Sequence, residues 1–91
     1  INYSLACARY MHLFGEDRTR QGMAEIAVAT RKWANLNPKA MMHDTLMSFD
    51  EYHDSRWVSW PFHLFDCCLV TDSGAAIIVT TAERARSLKK T

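Results

Sequence analysis

Glycine and proline are scarce, with three and two copies among 91 residues. That scarcity excludes a collagen-like, linker-like or low-complexity chain, which needs far more of both. An excess of one charge is lacking as well. Eleven Lys and Arg stand against ten Asp and Glu, a net of +1, and the two signs are interspersed. The basic cluster Arg84, Arg86, Lys89 and Lys90 near the C-terminal end reads as a solvated helix end, so no nucleic-acid partner is expected. No apolar run reaches the roughly 18 residues that a membrane-spanning helix requires. The N-terminus lacks a basic stretch followed by an apolar core, so it is not read as a signal peptide. Its abrupt start at Ile1 leads to the expectation of an internal piece of a longer protein. Cysteines number three, two of them adjacent at Cys67 and Cys68. An odd count with that spacing argues against a disulfide framework and for a reducing, cytoplasmic setting.

What is present is an ordinary globular composition, 48% hydrophobic and 23% charged, enough for at most one small domain. A chain of this size buries only about 60–65% of its unfolded surface and is marginal without help. Residues 2–14 carry Tyr3, Cys7, Tyr10 and Phe14 at the helical period, widened by Ala6 and Leu13, and predict a helix. Gly15 can end it in a left-handed conformation. Glu16 to Arg20 reads as a charged connection. A second helix is predicted from Thr19, as its N-cap, to about Leu36, with Met23, Ile26, Ala27, Trp33 and Ala34 as the apolar face. Thr30 interrupts that face, but its hydroxyl can bond a carbonyl one turn back. Pro38 stops the helix, because the residue before a proline avoids the helical region. The two helices can pack as an antiparallel hairpin.

Residues 39–47 read as irregular. Ser48-Phe49-Asp50-Glu51 matches a capping box and predicts a short helix to about Asp54. The segment 55–65, SRWVSWPFHLF, is aromatic-rich and broken by Pro61, which predicts an irregular, buried crossing. A polar turn region, Asp66 to Gly74, follows. Ala75 to Val79 is a continuous apolar run with β-branched residues, the pattern of a strand buried on both faces, placed over 75–80. Thr80-Thr81-Ala82-Glu83 reads as a second capping box, opening a helix over 81–88. A strand buried on both faces needs ladder partners, and the sequence holds no second strand of comparable strength. Partners are therefore expected from other sequence or from another copy of the chain, with a homo-oligomer as the expected state.

The chemistry-bearing residues have bland readings. Cys67 and Cys68 lack a guaranteed cationic neighbour or helix N-terminus to activate a thiolate, and read as buried structural cysteines. His63, Cys67 and Cys68 fall short of the four recognisably spaced ligands of structural zinc, with His43, His53 and Cys7 too distant in sequence, so no metal is expected. Asp44, Asp50, Glu51 and Asp54 suit capping and helix-start electrostatics rather than acid–base pairing. Trp57, Trp60, Phe62 and Phe65 read as core, with a part in an apolar pocket as the sharper alternative. Tyr3, Tyr10 and Tyr52 read as amphipathic edge residues.

Two stretches carry a family resemblance. The first is AEIAVATRKWANLNPKA, residues 24–40, with its Ala-Val-x-x-Arg-x-x-Ala-x-Leu-Asn-Pro pattern. The second is HLFDCCLVTDSGAAIIVTTAERARSL, residues 63–88. Together they resemble the thiolase superfamily, above all its lipid-transfer branch, the sterol-carrier-protein-X-type thiolases and their bacterial relatives. The similarity covers most of the chain and is weakest over 41–62. It implies an α+β fragment, mostly helical with one buried strand, belonging to a thiolase-like α/β fold. Residues 1–62 would belong to the loop domain. Residues 63–91 would return to the core of the N-terminal half, with the strand over 75–80 central in its sheet.

In that family the nucleophilic Cys would precede Ile1. The Asn-Glu-Ala-Phe-like loop, the Gly-His-Pro-like His and the Cys-x-Gly acid/base would follow Thr91. The resemblance therefore implies no catalytic residue here, and a role in walling the CoA and acyl pocket instead. Cys68 falls where many thiolases place a small polar residue near the pantetheine arm. Ser4 and Leu5 fall near positions that approach the CoA nucleotide, and Asp72 and Gly74 belong to the turn beside the ligand. Thr71-Asp72-Ser73-Gly74 departs from the usual Ser-Asp-Gly-Gly or Asn-Asp-Gly, and the lost glycine limits how closely backbone and ligand can approach. Arg20-Gln21-Gly22-Met23 departs from the usual Arg-Glu-Gln-Leu. The implied substrate is an acyl-CoA thioester, with no tightly bound cofactor. The implied function is acyl transfer or thiolytic cleavage in the intact protein. The alternative is a non-catalytic acyl-CoA or lipid-binding or assembly subunit, or a CoA-thioester aldolase working with a partner such as a zinc-ribbon/OB-fold protein.

Overall fold

The computed structural model describes residues 2–70, 72 and 74–88. Helix α1, Asn2–Phe14, and helix α2, Glu16–Asn35, are separated by Gly15 alone. Gly15 sits at φ 96, ψ 135, a region that L side chains rarely adopt. Its N–H still closes the last turn of α1 on the Met11 carbonyl at 2.9 Å. The chain reverses there. Cys7 and Met23 are 16 residues apart, yet their sulfurs lie 3.8 Å from each other. Each stands about 12 Å along its own helix from the glycine, so the two helices fold back on one another as the expected hairpin.

Helix α2 begins three residues before the predicted cap. Gly15 holds the N-cap position, and Thr19 lies inside the first turn, where its hydroxyl donates to the Gly15 carbonyl at 2.7 Å. Glu16 and Asp17 suit the positive end of the helix dipole, and Glu16 pairs with Arg20 at 3.6 Å. The presumed charged connection is therefore the first turn. Thr30 donates to the Ile26 carbonyl at 2.7 Å, the bond its mid-helix position called for. The buried face differs from the predicted one. Ala24, Val28 and Arg31 are inside, whereas Ile26 and Trp33 are 70% and 74% exposed.

Helix α3, Phe49–Asp54, carries the predicted capping box. The Ser48 hydroxyl accepts from the Glu51 amide at 3.1 Å, and the Glu51 carboxylate accepts from the Ser48 amide at 2.7 Å. Those bonds hold the Glu51 carboxyl below its usual range. The aromatic segment after it is more ordered than its sequence suggests. Strands β1, Trp57–Ser59, and β2, Phe62–His63, pair antiparallel across a Trp60-Pro61 turn with a cis peptide bond. Pro61 sits in the turn, where it removes no ladder donor. Burial there falls on Pro61 and His63, while Trp57 and Trp60 stay exposed and Phe62 and Phe65 are half-buried. A 3-10 turn, Leu64–Asp66, follows.

The buried strand predicted over 75–80 is not formed. Residues 74–80 are irregular, and Ile77, Ile78 and Val79 are 87%, 88% and 90% exposed. Among the described residues the sheet consists of β1 and β2, so the run has no backbone to pair with and its amides remain with water. Helix α4, Ala82–Ser87, is capped by Thr81, whose hydroxyl accepts from the Arg84 amide at 3.3 Å. The cap stands one residue later than the box read from the sequence. Thr71 and Ser73 of the expected turn, and Lys89 and Lys90 of the basic end, lie outside the described residues. Among the described residues no helix is long and apolar enough to cross a membrane.

Two glycines test this account in opposite directions. A Cβ at either Gly15 or Gly22 would meet nothing within 4 Å, so only backbone conformation separates them. Gly22→Ala inside α2 is expected to raise unfolding free energy by about 0.5–1 kcal/mol. Gly15→Ala should lower it by about 1–3 kcal/mol. Urea denaturation of the two variants measures both signs.

Candidate functional site

The capped α3 delivers Tyr52 into the interior, 1% exposed. Its hydroxyl donates to Asp66, lying 2.8 and 2.9 Å from the two carboxylate oxygens. The same carboxylate accepts the backbone N–H of His63 at 2.7 Å. Ser55 closes the circuit, its hydroxyl donating to the Tyr52 carbonyl at 2.6 Å and its carbonyl lying 2.7 Å from His63 Nδ1. A carbonyl can only accept, so Nδ1 is the donor in this contact. The ring's Nε2 is buried without a partner. The Trp57 ring stacks on His63 at 3.7 Å, and the Arg20 guanidinium lies 5.2 Å over Trp57.

Burial first, then the hydrogen bond to Asp66 and that carboxylate's charge, push the Tyr52 phenol up. Burial and the same charge push up the thiol of Cys7 on α1. Both groups are thereby held protonated. The carboxylate meets the backbone of His63 and not its ring. The trio therefore has no acid-to-imidazole contact of the kind that orients a general base, and what it can do is fix position.

Asp66 also lines a concavity of ≈ 690 Å³. Helix α2 contributes Met23, Ile26, Ala27 and Ala34. Met42 and Met47 come from the loop before α3, and Phe62 with the run 64–69 forms the opposite wall. Most of its polar lining groups hold bonds within the chain, Arg31 through one guanidinium nitrogen, Nη1. The Thr30 hydroxyl bonds Ile26, and Arg31 donates to the Thr45 carbonyl at 3.2 Å with the Phe65 ring 5.4 Å away. Asp66 is bonded by Tyr52 and His63, and the Cys67 thiol donates to the His63 carbonyl at 3.6 Å. An occupant meets apolar surface with few free hydrogen-bonding groups, so the groove selects by shape and apolar area.

Of the residues singled out from sequence, Cys68 lines this groove. Cys67 and Cys68 are exposed, a correction to the buried reading, because nothing described covers the extended chain that leaves the 3-10 turn. The Ser4 hydroxyl shares a hydrogen bond with Ser59 at 2.9 Å, tying α1 to β1. Leu5 faces solvent on α1, and Asp72 and Gly74 are exposed in the irregular stretch. None of these four lines the groove, so the structure does not gather the five. Among the described residues no three His, Cys, Asp or Glu side chains converge as metal ligands. The sequence reading missed Tyr52, Asp66 and Arg31. For Tyr52 a signal existed, since Phe49 and Tyr52 are the apolar members of an otherwise polar six-residue helix and one of them had to face inward.

Relatives match along most of the chain. A 17-hydroxy-3-oxo-4-pregnene-20-carboxyl-CoA lyase of Mycobacterium tuberculosis is 41% identical over 87 residues, covering 96% of this chain and 22% of that protein. A steroid side-chain-cleaving aldolase of Thermomonospora curvata is 41% identical over 80 residues, covering 88% and 20%. A benzoylsuccinyl-CoA thiolase subunit of Thauera aromatica is 33% identical over 86 residues, covering 94% and 22%. The chain spans about a fifth of the length of these curated relatives. No family model and no solved structure matches it.

Removing the Tyr52 hydroxyl leaves the Asp66 carboxylate short of a donor. Tyr52→Phe is expected to lower unfolding free energy by about 1–3 kcal/mol near neutral pH. The raised phenol pKa adds a pH signature. Its stabilisation is complete below the unfolded-state value of about 10 and is lost as pH climbs above it. Wild-type stability should therefore fall above that pH, and the fall should be smaller in Tyr52→Phe, as read by denaturation across the alkaline range.

Proposed function

This is a thiolase-family sequence, and we propose that it serves as one segment of a protein that cleaves or forms a carbon–carbon bond in a CoA thioester. The observation that carries the role is the groove of ≈ 690 Å³ with its apolar walls and pre-committed polar groups. In this reading it holds the apolar part of the acyl group. Cys68 on its lining stands toward the pantetheine arm. Ser4, Leu5, Asp72 and Gly74 meet the CoA or a neighbouring part of the fold, and the exposed run 75–79 pairs with backbone from elsewhere in the protein or from a second copy. Catalytic groups come from outside this chain.

Two relatives at 41% identity bear the names lyase and aldolase, which favours aldol-type cleavage. A β-hydroxyacyl-CoA then loses its hydroxyl proton, and its Cα–Cβ bond breaks to leave a carbonyl compound and a thioester enolate that takes up a proton. Thiolysis is the second reading. A cysteine thiolate attacks the 3-oxo carbon, and the C2–C3 bond breaks to release a thioester enolate that takes up a proton. The acyl group then passes from the cysteine to the thiol of free CoA, freeing the cysteine. This reading rests on the relative named a thiolase subunit, at 33% identity.

Free CoA separates the two. The full-length protein should cleave a β-hydroxyacyl-CoA carrying a bulky apolar group without added CoA, releasing a carbonyl compound and a shortened acyl-CoA seen by mass spectrometry. Cleavage of a 3-oxoacyl-CoA that strictly requires free CoA would establish thiolysis instead. Absence of both reactions would defeat the proposal.

A further inference from the structure

We infer that Tyr52, which does not line the groove, sets its width through Asp66 and so governs how large an acyl group it admits. The inference rests on the groove being the acyl site. The wall formed by residues 64–69 has little backbone structure of its own. Beyond the 3-10 turn, closed by the Cys67 N–H on the Leu64 carbonyl at 3.2 Å, neither ladder nor helix holds it.

Two side-chain contacts tie that wall to the helices, and they differ in kind. Arg31 of α2 lies 5.4 Å over the Phe65 ring, a contact with little directional character. Tyr52 reaches both oxygens of Asp66 at 2.8 and 2.9 Å, a charge-assisted bond that fixes direction as well as distance. Its anchor is firm, since Tyr52 is 1% exposed in a helix closed by a reciprocal capping box and braced by Ser55. Without the hydroxyl, Asp66 keeps the His63 amide alone. One of its oxygens then gains by turning to water, and the open space beside it is the groove it lines. The wall relaxes and a negative charge enters an apolar site, where it is unfavourable. A bulky apolar acyl group that fills the groove to its Asp66 wall meets that charge, whereas a two- or three-carbon acyl group does not reach it.

The test is steady-state kinetics of the full-length protein on a CoA thioester with a polycyclic apolar acyl group and on one with a short acyl group. Tyr52→Phe should raise KM for the bulky substrate about five- to tenfold while KM for the short one and kcat for both stay within about twofold. The double variant Tyr52→Phe with Asp66→Asn carries no charge into the groove and should recover most of the lost KM. Asp66→Glu, which lengthens the pin by one methylene, is a second probe should Tyr52→Phe not fold, and should also raise the bulky-to-short KM ratio. Thr81→Ala weakens the cap of α4, which does not line the groove, and should leave that ratio unchanged. An unaltered ratio in Tyr52→Phe or Asp66→Glu, or an equal change in Thr81→Ala, overturns the inference and leaves the functional reading standing. A wild-type protein without activity on either thioester overturns both.

Discussion

A carboxylate drawn out of bulk water must be compensated by donors, and at Asp66 two donors do so from different elements. The Tyr52 hydroxyl comes from α3 and the His63 amide from β2. The first contact spans 14 residues, whereas the second is the local cap of the 3-10 turn. Together they fasten the chain after β2 to the helix before β1, and Ser55 and the His63 ring complete the fastening. The ends of the hairpin, the 3-10 turn and one wall of the groove take their positions from this point. Arg31 plays the matching part on α2, with one contact to Thr45 and one to Phe65.

The apolar surface is distributed unevenly around that polar centre. Met11, Ala24, Val28 and Tyr52 form a thin core. Large side chains such as Trp33, Leu36, Met41 and Leu46 remain in solvent, as does the whole run 75–79. Burial of a Leu, Ile or Val side chain is worth roughly 1.5–3 kcal/mol, so Ile77, Ile78 and Val79 each leave a favourable term unrealised. The groove and this run are apolar surfaces that the described residues do not cover. The relatives are more than four times as long.

Apolar walls and mostly bonded polar groups say what the groove discriminates. A site with few free hydrogen-bonding groups rewards a polar ligand little, and fit and apolar area rank its occupants. That property suits an apolar occupant. It also explains why the residues of the groove are dispersed in sequence from Met23 to Leu69. They share hydrophobicity and no motif.

Local rules made much of the chain legible. Helix α1, the reversal at Gly15, the back-bonded Thr30, the stop before Pro38 and the Ser48–Glu51 box all follow from contacts within four residues, which the sequence displays directly. The family kinship was also legible, in residues 24–40 and 63–88. What the sequence could not display is pairing across distance. Which face of α2 turns inward was decided by the partners it met, so Ala24, Val28 and Arg31 are inside and Ile26 is not. The β1–β2 ladder formed where an irregular crossing was expected, because residues flanking a tight turn can pair once the chain is placed. The run 75–79 has the composition of an interior strand and stays open, because a strand exists only beside another backbone. The bond from Tyr52 to Asp66 spans 14 residues, and only the folded chain brings that hydroxyl to that carboxylate.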